Sequence, residues 1–175
     1  MSRPVEDAEI LSVVDSTDSV IGEKRRDEIH LQGLRHRAVH VLVFNLKGAI
    51  FLQERGKHKV ENPGMWDSSV AGHVDAGESY DECCVREVDE EVGLMLDQAP
   101  VRLFKLDASV DTGMEFAWVY QVETDKPLVP NLEEMSGGDW FDPAEVDRWV
   151  NSGVESISPV FRLIWKTYRA LKKSD

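Results

Sequence analysis

Short apolar runs separated by polar turns fill the first third of the chain. Ile10 to Val14 reads as a strand, and Val20-Ile21-Gly22 pairs with it across the polar turn at Asp15–Asp18. Arg25 to Leu31 fits a short helix. His36 to Phe44, rich in β-branched residues, is the clearest strand. Asn45-Leu46-Lys47-Gly48 predicts a hairpin turn, with Ala49 to Gln53 as the return strand. A polar loop follows, Glu54 to Gly64, closed by the turn signal Pro63-Gly64. Met65 to Ala71 reads as an extended segment.

The period then changes. Tyr80, Cys84, Val88 and Val92 recur at four-residue steps and predict the buried stripe of a helix over Ser79–Val92, with Gly93 as its stop. Val101–Leu106 and Phe116–Val122 predict two more strands, joined through Asp111-Thr112-Gly113, and Thr124–Gly138 reads as a loop. Asp142-Pro143 and Ser158-Pro159 each carry the N-cap and N1 signature of a helix start. Ala144, Val146, Trp149 and Val150 follow the first. Phe161, Ile164, Tyr168 and Leu171 follow the second at helical spacing. Mixed strands with helices on their faces give an α/β sandwich. No repeat, low-complexity stretch or linker interrupts it, so residues 1–175 read as one domain.

Composition narrows the function. At 175 residues the chain is long enough for a substantial core, and 42% hydrophobic with 30% charged residues is ordinary for a globular protein. No apolar run is long enough to span a bilayer, and MSRPVEDAEI lacks the layout of a signal peptide, so a cytoplasmic protein is expected. The net charge of −13 disfavours stable nucleic-acid or anionic-membrane binding. A polyphosphate remains admissible where metal ions and a few local Lys/Arg reverse the field. Cys83 and Cys84 are adjacent on the helix and read as small packing residues, not a disulfide. The five tryptophans admit two readings, core packing or a homodimer interface.

The chemistry concentrates in Gly72–Leu94, GHVDAGESYDECCVREVDEEVGL, which packs eight carboxylates into 23 residues. Glu87, Glu90 and Glu91 share a helix face, where like charges repel unless a cation neutralises them. Hard oxygen ligands suit Mg²⁺ or Mn²⁺. Arg86 lies four residues before Glu90 and fits a role fixing the carboxylates. Glu78, expected early in the helix, fits a cap or a salt bridge better than a ligand. Arg55 and Lys59, in or beside the polar loop, are candidate phosphate contacts.

Five residues separate Gly72 from Glu78, and seven more lead to Arg86-Glu87, Val88, Glu90-Glu91, Gly93 and Leu94. This spacing resembles the Nudix box of the Nudix hydrolase superfamily at every defined position. The resemblance implies an α/β/α sandwich with a mixed central sheet and the box as loop–helix–loop. It implies metal-dependent cleavage of a diphosphate linkage in a small molecule such as a nucleoside diphosphate derivative. Metal ligands would be Glu87, Glu90, Glu91 and the Gly72 carbonyl. The general base would be Glu87 in the box or Glu115 outside it.

HRAVHVLVFN, LQER and NPGMWDSSVAGHVDAGE are further similar to the isopentenyl-diphosphate isomerase branch. His36, His73 and Glu115 fall where that isomerase has metal ligands, and Arg55 and Lys59 where it contacts diphosphate. The isomerase carries a catalytic cysteine where this chain has Ala71, which holds no ionisable group. An isomerase-like hydrolase is therefore expected over an isomerase. A noncatalytic nucleotide-sensing domain is the remaining alternative, disfavoured by the intact set of carboxylates.

Overall fold

The computed structural model describes residues 8–174; the first seven, part of the stretch read for a signal peptide, lie outside it. In chain order the elements are β1 (Ile10–Val14), β2 (Val20–Arg25), α1 (Arg26–Gln32), β3 (His36–Asn45), β4 (Ile50–Arg55), β5 (Trp66–Asp67), β6 (Val70–His73) and α2 (Tyr80–Val92). β7 (Val101–Leu106), β8 (Glu115–Thr124), β9 (Met135–Phe141), α3 (Pro143–Asn151) and α4 (Pro159–Lys172) complete the chain. The larger sheet runs β5-β4-β3-β8-β7, with β6 also on β3 and β9 also on β4. It is mixed, because β3 and β8 pair in parallel and the other neighbours antiparallel.

Alternation along β3 decides how the layers stack. Val39, Val41 and Val43 join Cys84, Val88 and Val92 of α2 in one apolar core. Leu42 and Phe44 join Val146, Phe161, Ile164 and Trp165 of α3 and α4 in another. A sheet thus lies between α2 on one face and α3 with α4 on the other, the expected α/β/α sandwich. Among the described residues no helix is long and apolar enough to cross a membrane. Both cysteines are buried and free.

Three expectations change. The loop expected over Thr124–Gly138 ends in a strand, β9, which pairs with β4 from Arg55↔Met135 to Ile50↔Phe141. MSGGDWF holds two glycines and an aspartate, so its strand form comes from the partner edge and not from local propensity. Glu54 and Arg55 belong to β4, not to the loop after it. Glu78 lies outside the helix, because Ser79 is the N-cap. Ser79 and Glu82 form a capping box, and Asp81 and Glu82 supply the first-turn charge. Gly93 ends α2 in the left-handed region, at φ 65, and its N–H donates to the Asp89 and Val88 carbonyls. Leu171, at the end of α4, is exposed.

The β1–β2 hairpin is tied to the body of the protein by Asp18, whose side chain is 8% exposed. Asp18 accepts hydrogen bonds from Arg37 Nε at 2.7 Å, Tyr80 Oη at 2.8 Å, and Lys105 Nζ. Burial pushes its carboxyl up, but the three donors outweigh burial and hold it below the ordinary 3.8. Asp18→Asn is expected to cost about 2–3 kcal/mol at pH 7, because two cations lose their shared partner. Asparagine tolerates the left-handed backbone there (φ 63), so strain adds nothing. A depressed folded-state pKa gives stability that is complete above the unfolded value and drains away as pH falls through the folded one. Urea denaturation of both proteins should therefore show the gap closing below pH 3.8. A gap of constant size down to pH 2 would contradict the electrostatic account.

Candidate active site

β4 and β6 both leave from the same edge of β3. β4 pairs it at Val43 and Phe44, and β6 at Ala38 to Val41. The two strands diverge, and Glu91 of α2 fills the fork. Its Oε2 accepts from Gln53 Nε2 of β4 at 3.0 Å and from Ala71 N of β6 at 3.1 Å. Glu91 and Glu87 are 7% and 1% exposed, one helical turn apart. Burial pushes the Glu91 carboxyl well above its ordinary range, and the Glu87 charge adds to the shift.

Gly72 explains how Glu87 fits. A Cβ on Gly72 would stand 2.1 Å from Glu87 Cδ and 2.3 Å from Oε1, so the carboxylate lies where any other residue would put a side chain. Arg86 binds the array from the outside. It donates from Nη1 to Glu87 Oε1 at 2.6 Å and to Glu90 Oε2 at 3.3 Å. Its Nε and Nη2 reach Glu78 at 2.7 and 2.8 Å. Of the two roles expected for Glu78, cap or salt bridge, it takes the salt bridge, to Arg86.

A cavity of about 350 Å³ opens beside this array. Gly72, Glu87, Glu91, Arg55, Lys59 and Glu115 line it, while Arg86 and Glu90 stand outside its lining. The Glu90 side chain is 37% exposed. Arg55 is held by the Glu61 carbonyl at 3.0 Å and stands 3.6 Å from Asp67 Oδ2; Lys59 Nζ is 2.8 Å from Glu134. Eight carboxylates and three Lys/Arg line the cavity. A polyanion would meet net repulsion there unless cations entered with it.

A second cluster occupies the face of the sheet opposite α2. His36 of β3, His73 of β6 and Glu115 of β8 project there together, since Ala38 pairs with His73 and His36 with Glu115. His30 of α1 joins them, and each of the three histidines brings a ring nitrogen within 4.8 Å of the others. Glu115 Oε1 lies 2.9 Å from His73 Nε2 and 3.4 Å from His36 Nε2. Burial alone would raise the Glu115 carboxyl, but the two histidines hold it well below the carboxylate range. Burial holds His73 down to about 4 despite Glu115. Arg26 Nε donates to its Nδ1 at 3.3 Å, which leaves the ring proton on Nε2, towards Glu115.

His36 and His30 differ from His73. Their Nδ1 atoms meet the Leu34 carbonyl at 2.9 Å and the Glu61 carboxylate at 2.5 Å. Their Nε2 atoms are buried without a hydrogen-bond partner. Two ring nitrogens face inward, that of His36 towards the Glu115 carboxylate. Burial opposes charge on the His36 ring, but that carboxylate raises its pKa; a cation beside Glu115 would take the place of that proton.

The NUDIX domain model matches residues 34–162. The chain belongs to the Nudix family. It is 33% identical over 171 residues to an uncharacterised Nudix hydrolase of Nostoc sp., covering 94% of this chain and 98% of the relative. It is 30% identical over 159 residues to isopentenyl-diphosphate Delta-isomerase 2 of Photorhabdus laumondii, covering 89% and 90%. The crystal structure of DR0079 from Deinococcus radiodurans superposes with a TM-score of 0.80 at 27% identity, over 91% of this chain and 98% of that one. Nudix hydrolases act on pyrophosphate bonds.

Within this Nudix fold, Gly72, Glu87 and Glu91 of the box meet Arg55 of β4 and Lys59 of the following loop at one cavity. Sequence reasoning missed His30, Glu61 and Glu134. His30 and Glu61 are brought to the cluster by α1 and by the loop after β4, and no local spacing links them to His36. Glu134 lines the cavity wall three residues after Asn131, whose N–H and Nδ2 donate to the Glu91 and Glu90 carbonyls. A cluster of acids and an asparagine just before an aromatic strand was the available signal.

Proposed function

We infer that this protein is a Mg²⁺- or Mn²⁺-dependent hydrolase that cleaves a diphosphate linkage in a nucleoside diphosphate derivative or a related small molecule, working as one domain in the cytoplasm. The observation that carries this reading is the buried pair Glu87 and Glu91, the first packed against a glycine where no side chain fits, at the wall of a cavity that also holds Arg55 and Lys59. Two neighbouring buried carboxylates are unfavourable without a cation, and their hard oxygens fit a divalent one. When bound, such a cation neutralises phosphate charge, lowers the pKa of a bound water and aligns attacking and leaving oxygens.

The chain supplies the rest. Glu87, Glu90, Glu91 and the Gly72 carbonyl hold the cation. Arg86 fixes Glu87 and Glu90 relative to one another. Arg55 and Lys59 bind phosphate oxygens, Lys59 exchanging Glu134 for the substrate. Glu87 is the better candidate for taking the water's proton. Glu115 is held well below the carboxylate range by two histidines, which makes it a weak base. A panel of diphosphates with Mg²⁺ or Mn²⁺, products resolved by chromatography and mass spectrometry, tests the reading. Metal-dependent cleavage of one class is expected; cleavage of none would reject it.

The histidine cluster favours a second reading, an isomerase that moves a double bond by protonation and deprotonation. The cluster fits a second metal, which would be held by His30, His36 and Glu115, and by His73 once its Nε2 gives up the proton it turns towards Glu115. Against it stands Ala71, which faces the cavity and has no proton to give. Ala71→Cys alone is expected to leave isopentenyl diphosphate unconverted, since supporting groups must be placed as well. Efficient isomerisation by that single variant would overturn the preference for hydrolysis.

A further inference from the structure

His40 is a cavity residue that neither reading above employs. It is 3% exposed, lines the cavity, and projects from β3 on the same face as Ala38 and Leu42. Across β6 its register partner is Ala71, so the ring stands beside the alanine methyl. The amide of that same Ala71 donates to Glu91. His40 and Glu91 therefore flank Ala71, one beside its side chain and the other at its N–H.

The ring is held in a defined state. Nδ1 lies 2.9 Å from Ser68 Oγ, and this hydroxyl has no other partner among the described hydrogen bonds. Donation from Oγ–H to Nδ1 satisfies it and puts the ring proton on Nε2. With Nδ1 occupied, the edge left to the cavity carries Nε2–H, which has no partner among the described hydrogen bonds. Asp67 Oδ1 stands 4.0 Å from Nδ1, and Asp67 Oδ2 stands 3.6 Å from Arg55 Nη1. Asp67 is 1% exposed and also accepts the Ser68 N–H at 2.7 Å. One buried carboxylate thus sits between the histidine and a candidate phosphate-binding arginine. Burial pushes the His40 pKa down and Arg55 adds to this, against the pull of Asp67 and Glu115, so the ring is neutral at pH 7.

We propose that His40 is a substrate-binding residue whose Nε2–H donates a hydrogen bond to a phosphate oxygen of the diphosphate, on the side of Ala71 away from Glu91. This rests on the diphosphate reading above. One phosphate lies against the carboxylates of α2; the other lies between His40 and Arg55, which share Asp67. No proton is transferred from His40, because a neutral imidazole that lost its N–H would become an imidazolate. The group acts as a fixed donor, and it gains importance as charge grows on the departing phosphate.

Methylenediphosphonate, whose P–C–P link is not hydrolysed, is the probe, titrated calorimetrically with Mg²⁺ present. His40→Ala is expected to weaken its binding about 10- to 100-fold, the worth of a hydrogen bond to a charged oxygen. His40→Gln, which keeps an N–H near the Nε2 position, should stay within about threefold of wild type by the same argument. Mn²⁺ binding without diphosphonate should be unchanged in both. If the alanine variant does not fold, His40→Leu, which fills the space without a donor, takes its place. Equal diphosphonate affinity for His40→Gln and the donor-free variant would overturn the proposal, and so would a matching loss of Mn²⁺ affinity. If the wild type itself does not bind methylenediphosphonate with Mg²⁺, the diphosphate reading fails and takes this proposal with it.

Discussion

Glu91→Gln is expected to lower turnover by roughly three orders of magnitude while leaving the metal-free protein at least as stable as wild type. Stability and activity separate because the two depend on different properties of one carboxylate. In the fold, Glu91 accepts from Gln53 and Ala71 with the oxygen an amide would keep. Its negative charge is opposed by burial and by Glu87, so removing that charge relieves repulsion. For a hard divalent cation the charge is the attraction, and a neutral amide oxygen is a poor replacement. Thermal denaturation without metal, together with kcat on the diphosphate the wild type cleaves, tests both halves. Wild-type activity in Glu91→Gln at matched metal concentration would sink the assignment of the site.

Gly72→Ala should be nearly as damaging to activity, for a steric reason. The added methyl would stand 2.1 Å from Glu87 Cδ, far inside contact distance. Glu87 is 1% exposed and its Oε1 is gripped by Arg86, so the carboxylate has little room to withdraw. Either Glu87 rotates out of the array or β6 moves off β3 where Gly72 pairs with Val39. A loss of stability of about 1–3 kcal/mol is expected from overpacking. A fall in kcat on the order of 100-fold should accompany it from misplacing a ligand. Gly22→Ala is the control. It lies on β2 with nothing within 4 Å of its added Cβ and no left-handed backbone, so it should change neither quantity. If Gly72→Ala kept wild-type activity, the close approach of Glu87 to the strand would not be what positions the carboxylate.

Much of the layout was legible because it depends on local rules. The four-residue stripe Tyr80, Cys84, Val88 and Val92 marks the buried face of α2, and all four are buried. Caps at Asp142 and Ser158, and the glycine after Val92, mark helix ends where backbone groups need partners. Glu87 and Glu91 could be paired on paper because a helix has a fixed pitch. The Nudix box is legible for the same reason, since it is a local motif.

What escaped the sequence depends on contacts between distant segments. β9 forms because β4 offers it an edge, not because MSGGDWF favours a strand. The resemblance grouped His36, His73 and Glu115, but their meeting depends on the register of three strands, β6 antiparallel and β8 parallel to β3, and His30 joins them only through α1. His36, Ala38 and His40 share a face by simple alternation, which the sequence does show. That this face borders the cavity and not the α2 core is set by the packing of the layers. The fork between β4 and β6, which lets one Glu91 oxygen accept from both strands, is likewise a property of the assembled sheet. The sequence alone determined which side chains of one helix or one strand share a face, because helix pitch and strand alternation are set within a few residues. The tertiary structure alone decided which of them face one another, because strand order and register are set by burial across the whole chain.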